Sequence, residues 1–184
     1  ELLSSGEAQL GGQNQHVSIL FSDLRGFTTV SEALGARDTV SMLNEYFEEM
    51  VEVIFDNSGV LDKFIGDAIM ALYGVPFNGE QDADNAVLTA NGMFTALRLL
   101  NERREGRGME AVDIGVGIST GDVVVGNIGS TRRMEYTVIG ESVNLAARLC
   151  DGARADQIWV GKNIYTRTTK IPISWQYSRI AQLG

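Results

Sequence analysis

The sequence predicts an α+β domain in which helices pack on a mainly antiparallel sheet. Strand-like segments come in pairs joined by tight turns, most clearly within residues 60–73, and such hairpins make neighbouring strands antiparallel. Two long segments with helical periodicity, at residues 38–56 and 82–101, separate these pairs. A purely parallel sheet would need a crossover after every strand. We therefore expect the helices to cover one face of an antiparallel sheet.

The first element is a strand that follows an unpatterned lead-in. Residues 1–15 contain three glycines and no sustained periodicity, which predicts a linker or frayed segment before a domain at residues 16–184. Val17, Ile19 and Phe21 alternate with polar or smaller residues and predict a strand ending near Asp23. We expect a short helix to follow, capped by Thr28 or Ser31, and to end at Gly35.

A long helix then begins near Asp38 and ends at residues 57–59. Its expected apolar stripe consists of Val40, Leu43, Phe47, Met50, Val51 and Ile54. The other side carries four glutamates, which we interpret as a solvated surface. These are Glu45, Glu48, Glu49 and Glu52.

The second half contains a further helix and several strands. After a hairpin about Gly66 and Asp67, Asp82 or Asp84 is expected to cap a second long helix. Its apolar stripe consists of Val87, Ala90, Met93 or Phe94, Leu97 and Leu100. The pattern then predicts a strand pair at 112–119 and 123–128 about a turn at 120–122. A strand at 136–139, a helix at 141–151 and a strand at 158–160 complete the prediction.

Composition restricts the class of protein. The 184 residues have a net charge of −9, one cysteine and one histidine. A single cysteine excludes an internal disulfide, and a single histidine excludes a histidine metal cluster. An acidic chain argues against nucleic-acid binding. No apolar run approaches the about 18 residues of a membrane span. We expect a cytoplasmic location, and because the chain starts at Glu1, we expect an upstream regulatory region in a longer protein.

The charge is unevenly distributed along the chain. Residues 1–90 hold fifteen acidic and three basic residues, and residues 91–184 hold nine acidic and twelve basic residues. An acidic half binds an anionic ligand poorly unless divalent cations intervene. The asymmetry therefore favours a metal-assisted site if the ligand carries phosphates.

Several familiar motifs are absent or incomplete. Gly115, Gly117 and Gly121 lack the spacing and the following helix of a dinucleotide fingerprint. Ser119 fits G-x-S-x-G by letter, but His16 is its only candidate base, so we interpret it as a strand serine. Cys150 is interpreted as a core residue.

Two aspartates are stronger candidates for a site. Asp23 lies where the first strand ends, and Asp67 lies in the turn of an apolar hairpin. Each could be a simple turn residue, but if their strands are neighbours the two carboxylates converge, and they would then need cations. Two Mg²⁺ ions held there could brace a phosphate chain. The backbone amides around Gly26, Phe27 and Thr28 could cradle the phosphates.

A second candidate cluster lies on the helix at 141–151. Asn144 and Arg148 are four residues apart and share a face. Arg148 offers a fixed charge for oxyanions, and Asn144 offers a neutral donor. A surface arginine and a helix-start asparagine remain an equal alternative on this evidence.

Four segments, FSDLRGFT, LDKFIGDAIMALYG, VGISTGDVVVGNIGS and YTVIGESVNLAARL, together resemble the catalytic domain of class III nucleotidyl cyclases. The chain is most similar to bacterial-type adenylyl cyclases over about residues 16–160. The resemblance implies a ferredoxin-like, palm-type sheet. It also implies that ATP is converted to 3′,5′-cyclic AMP and pyrophosphate in signal transduction. The alternative is a catalytically silent cyclase-like domain, which typically loses the residues kept here.

The resemblance also assigns roles to residues. It implies that Asp23 and Asp67, with the Leu24 carbonyl, hold two divalent cations, Mg²⁺ or Mn²⁺. Lys63 resembles the residue that reads adenine, with Thr137 as its partner. The remaining two roles fall on the helix at 141–151, where Asn144 would orient the ribose and Arg148 would stabilise charge on the phosphorus. The family's sites lie between the two chains of a head-to-tail homodimer.

Two departures from the family pattern carry expectations of their own. Most adenylyl cyclases of the family have Asp where Thr137 stands, and the threonine resembles a bicarbonate-stimulated subgroup. Bicarbonate activation is therefore a hypothesis. Family members also continue into a hairpin with a phosphate-binding Lys-Gly pair, whereas this chain stops at Gly184. We interpret that difference as truncation or disorder of the segment and not as its natural absence.

Overall fold

The computed structural model describes residues 11–130 and 132–168 of the chain. The described strands are β1 (Gly11–Arg25), β2 (Val60–Ile65), β3 (Ala68–Tyr73), β4 (Asp113–Ser130), β5 (Arg133–Ile139) and β6 (Gln157–Val160). The described helices are α1 (Phe27–Leu34), α2 (Ala36–Asp56), α3 (Asp82–Glu105), α4 (Glu141–Gly152) and α5 (Lys162–Arg167). None of the described helices combines the length and the apolarity that a membrane crossing requires.

One sheet contains all six described strands. The order β2-β3-β1-β4-β5 is antiparallel throughout, and β6 pairs with β4 in the parallel direction. The predicted α+β class and the mainly antiparallel sheet are therefore confirmed. The short hairpin between β2 and β3 also agrees with the prediction, and its turn lies at Gly66 and Asp67.

The predicted turn at residues 120–122 is wrong, because β4 is one continuous strand. Gly121 pairs with Val17 of β1, and Thr120 pairs with Ser18. The buried Ser18 hydroxyl also donates a hydrogen bond of 3.0 Å to the Thr120 hydroxyl. A long partner strand therefore keeps extended a Thr-Gly-Asp segment that would favour a turn in isolation.

The first strand begins earlier than predicted. Gly11 to Gln15, which we assigned to a linker, pair with residues 123–127 of β4. A Cβ atom at Gly126 would lie 2.0 Å from the Gly11 carbonyl oxygen. Glycine at this crossing therefore reflects close approach of two backbones and not a flexible connection. Residues 1–10 of the expected linker lie outside the described residues.

Helices cover both faces of the sheet, which corrects the expectation of one covered face. Leu20 and Leu24 of β1 pack in a core with α2 and α3. Val17, Ile19 and Phe21 point to the opposite face, where they pack in a second core with α4. Alternation along β1 thus provides an apolar residue for each face, and it places Asp23 on the α4 face.

The buried stripe of α2 differs from the predicted one by a rotation of the helix. The structure buries Thr39, Met42, Tyr46, Met50 and Ile54, whereas Val40 is 56% exposed. Tyr46 is drawn inward because its hydroxyl shares a 3.0 Å hydrogen bond with Ser22 of β1. The predicted stripe of α3 is confirmed with Met93, and not Phe94, fully buried.

The helices begin close to the predicted residues, but the predicted side-chain N-caps are not formed. Gly26 precedes α1, and Gln81 precedes α3, and neither helix has a side-chain cap hydrogen bond. Asp38 lies in the first turn of α2, which begins at Ala36. Asp82 is the first residue of α3, and its carboxylate accepts a 2.7 Å hydrogen bond from the Gly79 amide. The sequence thus located these helices to within a few residues.

The glutamates on α2 are not simply solvated. The Glu45 carboxylate accepts two hydrogen bonds from Arg107, at 2.9 Å and 2.8 Å, and lies 3.7 Å from the buried Arg104. Glu49 pairs with Arg103. These contacts join α2 to the C-terminal end of α3, so this part of the acidic face stabilises helix packing.

Candidate functional site

The sheet order brings Asp23 and Asp67 together. Strand β3 lies beside β1, and Ser22 of β1 pairs with Ile69 of β3. This register places the turn of the β2–β3 hairpin next to the end of β1. The two carboxylates are close enough to interact, and burial together with Asp67 raises the pKa of Asp23 to about 6. The predicted convergence of the two aspartates is therefore present.

Arg25 is a neighbour of Asp23 that the sequence analysis missed. Its Nη1 donates a 3.1 Å hydrogen bond to Asp23, and its Nη2 donates a 2.6 Å hydrogen bond to the Cys150 carbonyl oxygen near the end of α4. Arg25 and Asp23 are two residues apart on one strand and so share a face. That spacing was the available signal. We call Asp23, Arg25 and Asp67 the metal-end cluster.

The donor chemistry of the metal-end cluster fits divalent cations. Two adjacent carboxylates repel each other, and a hard cation between them would relieve that repulsion. Leu24 has no donor atom in its side chain, which is buried in the core, so it could bind a cation only through its backbone carbonyl. Residues 11–130 and 132–168 contain no group of three or more His, Cys, Asp or Glu side chains that could hold a metal. Water or phosphate oxygens would therefore have to complete the coordination shell.

The predicted phosphate cradle coincides with the start of α1. Gly26 has a left-handed backbone conformation, with φ of 70°, which glycine adopts without steric cost. Phe27 packs against the core while Thr28 is exposed. The first amides of a helix have no partner within the helix. They can therefore bind anionic oxygens next to Asp23.

A second cluster joins strands that are not neighbours in the sheet. Lys63 of β2 donates a 2.7 Å hydrogen bond to Glu135 of β5, and its ammonium lies 3.6 Å from Asp62. Thr137 of β5 donates a 2.9 Å hydrogen bond to Asp62. The structure therefore brings together the two residues predicted to read the base. We call Asp62, Lys63, Glu135 and Thr137 the base-end cluster.

Asp62 was also missed, and its position explains why. The side chain of Asp62 is 1% exposed, although an aspartate in a short edge strand would ordinarily face solvent. The pairing of β2 with β3 shifts register between Leu61 and Lys63. Such a bulge redirects the side chain of the extra residue. No local pattern in the sequence indicates this irregularity.

Charges within the base-end cluster stabilise the protonated lysine. The hydrogen bond to Glu135 raises the pKa of Lys63, and Asp62 acts in the same direction. The pKa of Glu135 is lowered by Lys63 in return. Burial raises the pKa of Asp62, against the effects of Thr137 and Lys63. The cluster thus presents a positively charged donor beside a hydroxyl group.

Asn144 and Arg148 lie on α4 and are both exposed. The opposite side of the helix is fixed by Ala146, Leu149 and Cys150, which are buried. Close packing on the sheet depends on Gly117, where a Cβ atom would lie 2.2 Å from the Cys150 amide nitrogen. The helix therefore holds the two side chains at a fixed position on the surface of the domain.

The residues that we interpreted as structural are accounted for by packing and hydrogen bonds. Ser119 is 1% exposed, and Cys150 is 3% exposed. Burial raises the pKa of the Cys150 thiol to about 12. His16 contacts Asp122 at 2.8 Å and Thr120 at 3.1 Å. His16 therefore takes part in a hydrogen-bond network between β1 and β4.

A family model and several known proteins match this chain. The model described as the adenylate and guanylate cyclase catalytic domain matches residues 11–180. An uncharacterized protein of Mycobacterium tuberculosis is 39% identical over 147 residues, which are 80% of this chain and 24% of that protein. The chain spans about a quarter of the length of the curated relatives that it matches.

Two solved structures share the fold. The guanylyl cyclase Cya2 is 41% identical with a TM-score of 0.82, and the match covers 86% of this chain and 80% of that one. The adenylyl cyclase CyaB from P. aeruginosa is 36% identical with a TM-score of 0.82, and the match covers 85% of this chain and 82% of that one. Similarity of fold therefore does not distinguish the two activities.

Proposed function

The chain belongs to the adenylate and guanylate cyclase catalytic domain family, and we propose that it is an adenylyl cyclase. The reaction converts ATP into 3′,5′-cyclic AMP and pyrophosphate. The ribose 3′-oxygen forms a bond to the α-phosphorus, the bond from that phosphorus to the α,β-bridging oxygen breaks so that pyrophosphate leaves, and the hydroxyl proton passes to solvent. Such an in-line displacement depends mainly on positioning and on stabilisation of charge.

The observation that supports ATP over GTP is the base-end cluster. Lys63 is held as a protonated donor by Glu135, at 2.7 Å, and by Asp62. N1 of adenine accepts a hydrogen bond, whereas N1 of guanine carries a hydrogen. A cationic donor therefore matches adenine and repels the N1–H edge of guanine. Thr137 provides an oxygen for the adenine amino group.

The metal-end cluster would hold two divalent cations, Mg²⁺ or Mn²⁺. Asp23 and Asp67 would bind them with their carboxylates, and Leu24 with its carbonyl oxygen. Such ions lower the pKa of a bound hydroxyl and neutralise phosphate charge. Gly26, Phe27 and Thr28 would donate backbone hydrogen bonds to the phosphate oxygens, which keeps the triphosphate close to the two carboxylates.

Asn144 and Arg148 would complete a site in a second copy of the chain. We propose a head-to-tail homodimer in which Asp23 and Asp67 come from one protomer. Lys63, Thr137, Asn144 and Arg148 would come from the other. In each of the two equivalent sites, Asn144 would orient the ribose, and Arg148 would stabilise charge on the phosphorus. The exposure of both side chains on α4 is consistent with contact to a partner.

The proposed activity is tested with purified protein and either ATP or GTP, each with Mg²⁺ or Mn²⁺. We expect cyclic AMP and pyrophosphate in equal amounts, and a higher kcat/KM for ATP than for GTP. Asp67→Asn protein is the matched inactive control. Absence of cyclic AMP with both cations would favour a silent domain, and a preference for GTP would overturn the adenine assignment.

Two further proposals extend beyond the domain itself. Bicarbonate is proposed as an activator, and the same assay at constant pH and ionic strength, with chloride as the matched anion, tests it. Equal rates of cyclic AMP formation in the two salts would show that bicarbonate is not an activator. We also propose that the domain is cytoplasmic and is controlled by a regulatory region in a longer protein.

A further inference from the structure

Asp62 is a buried carboxylate that supports the charge of Lys63 but has no assigned effect on Thr137. Its side chain is 1% exposed, and its Oδ1 atom has no hydrogen-bond partner among the described residues. An unpaired buried oxygen lowers stability. Packing alone therefore does not explain why a carboxylate occupies this position.

The contact with Thr137 points to a function of Asp62 in recognition. The Thr137 hydroxyl donates its hydrogen bond to Asp62 Oδ2 at 2.9 Å. A hydroxyl has one proton and two lone pairs, and an ionised carboxylate can only accept. While Asp62 holds that proton, Thr137 can offer a ligand only its lone pairs. The hydroxyl therefore acts as an acceptor toward any base placed beside it.

The polarity of this hydroxyl distinguishes the two purines. Adenine presents an amino group at C6, which donates, and guanine presents a carbonyl oxygen, which accepts. We propose that Asp62 is a specificity-determining positioning residue, which favours adenine by fixing Thr137 as an acceptor. This inference rests on the proposed adenylyl cyclase activity, and it assigns to Asp62 a role separate from that of Lys63.

The surroundings of Asp62 preserve this arrangement. The Lys63 ammonium lies 3.6 Å from Oδ2 and supports the ionised carboxylate. Glu135 holds that ammonium on its other side at 2.7 Å. The bulge in β2 directs Asp62 toward β5 and not toward solvent. The side chain of Asp62 is therefore shielded from a metal ion or a phosphate, and it acts on the base through its neighbours Thr137 and Lys63 and not by direct contact.

The test uses two variants: Asp62→Leu removes the acceptor altogether, and Asp62→Asn provides an amide that can also turn an NH2 group toward the Thr137 hydroxyl. The Thr137 proton is then free to turn toward guanine. We expect the ratio of kcat/KM for ATP to that for GTP to fall about fivefold to tenfold, the value of one hydrogen bond. Binding of 3′-deoxy-ATP and 3′-deoxy-GTP with Mn²⁺ should show the same shift in the ratio of Kd values, since neither analogue can cyclise.

A double-mutant cycle separates this role from packing or from an effect on Lys63. Thr137→Val removes the hydroxyl, so Asp62→Asn should have no further effect on base preference in that background. Thr137→Ser keeps the hydroxyl and should keep the preference. If Asp62→Asn shifts the preference by the same factor in the Thr137→Val protein as in the wild type, Asp62 acts by another route and the proposal is overturned.

The outcomes for the two proposals are distinguishable. Wild type that prefers the adenine analogue but turns over neither nucleotide refutes the proposed activity, while the binding ratios still test Asp62. Wild type that turns over ATP, with a preference unaffected by both Asp62→Asn and Asp62→Leu, refutes only the role of Asp62. Asp62→Leu removes the acceptor and the unpaired oxygen together, and it carries the test alone if thermal unfolding shows that the asparagine variant does not fold.

Discussion

The metal-end and base-end clusters have the same formal charge but differ in the order of their charges. Each contains two carboxylates and one basic side chain. At the metal end the carboxylates of Asp23 and Asp67 lie close together, and Arg25 contacts Asp23 from one side. At the base end Lys63 lies between Asp62 and Glu135. The metal-end cluster therefore has no positive charge between its two carboxylates, whereas the base-end cluster already has one.

The metal-end cluster therefore needs an added cation, whereas the charges of the base-end cluster are already paired with one another. Repulsion between adjacent carboxylates makes the metal end unfavourable until a cation binds. The base end satisfies most of its charges internally and can receive an uncharged purine. Substitutions at the two ends should therefore affect stability in opposite directions.

The largest effect is expected from Asp67→Asn at the metal end. Loss of a carboxylate that we propose to hold a cation should lower kcat by at least about 100-fold, as for other groups that stabilise transition-state charge. The unfolding midpoint of the metal-free protein should rise by about 2 °C because the repulsion with Asp23 is removed. Thermal unfolding with and without Mn²⁺ measures this, and a lower midpoint in metal-free protein would contradict the comparison.

The second largest effect tests whether each protomer contributes Asp23 to one site of the dimer and Arg148 to the other. Asp23→Ala and Arg148→Ala proteins should each be inactive alone. An equal mixture should regain about a quarter of wild-type activity, since random exchange makes half the dimers mixed and each mixed dimer has one intact site. Heterodimers demonstrated by two affinity tags, yet without activity, would show that the sites are not shared.

At the base end, Lys63→Glu should lower kcat/KM for ATP about 10- to 100-fold, because a donor that discriminates between bases contributes about 1–3 kcal/mol. The preference for ATP over GTP should fall with it, most clearly when Thr137 is also changed. The unfolding midpoint should fall, in contrast to Asp67→Asn, because a third acid joins Asp62 and Glu135. Lys63→Met is the control for loss of charge alone. An unchanged base preference would show that Lys63 does not read the base.

The smallest effect is expected from Glu135→Gln. Its pair with Lys63 is at the surface, with the glutamate side chain 47% exposed, and exposed pairs contribute about 1 kcal/mol or less. We expect a two- to threefold fall in kcat/KM for ATP, reduced further in high salt. A loss as large as that from Lys63→Glu would mean that Glu135 contacts the substrate itself.

Most residues of the candidate site were identified from the sequence, but two of them were missed. Asp23 and Asp67 were found because each follows a readable strand or turn. Asn144 and Arg148 were found by their four-residue spacing on one helix, whereas Lys63 and Thr137, and the roles of all four, were assigned by resemblance to a family. Arg25 and Asp62 were missed, since the meaning of each depends on a contact with a distant element. These contacts are the Cys150 carbonyl for Arg25 and Thr137 for Asp62.

Local patterns in the sequence determine the α+β class, the hairpin of β2 and β3, the buried face of α3 and the places of two aspartates at a strand end and a turn, whereas the sheet order makes these aspartates converge. The local features follow from periodicity and turn chemistry, which act over a few residues. Tertiary structure decided the continuous β4, the rotation of α2, the second covered face and the burial of Asp62. In each case a partner far along the chain overrides a weak local preference, because pairing and burial outweigh turn propensity.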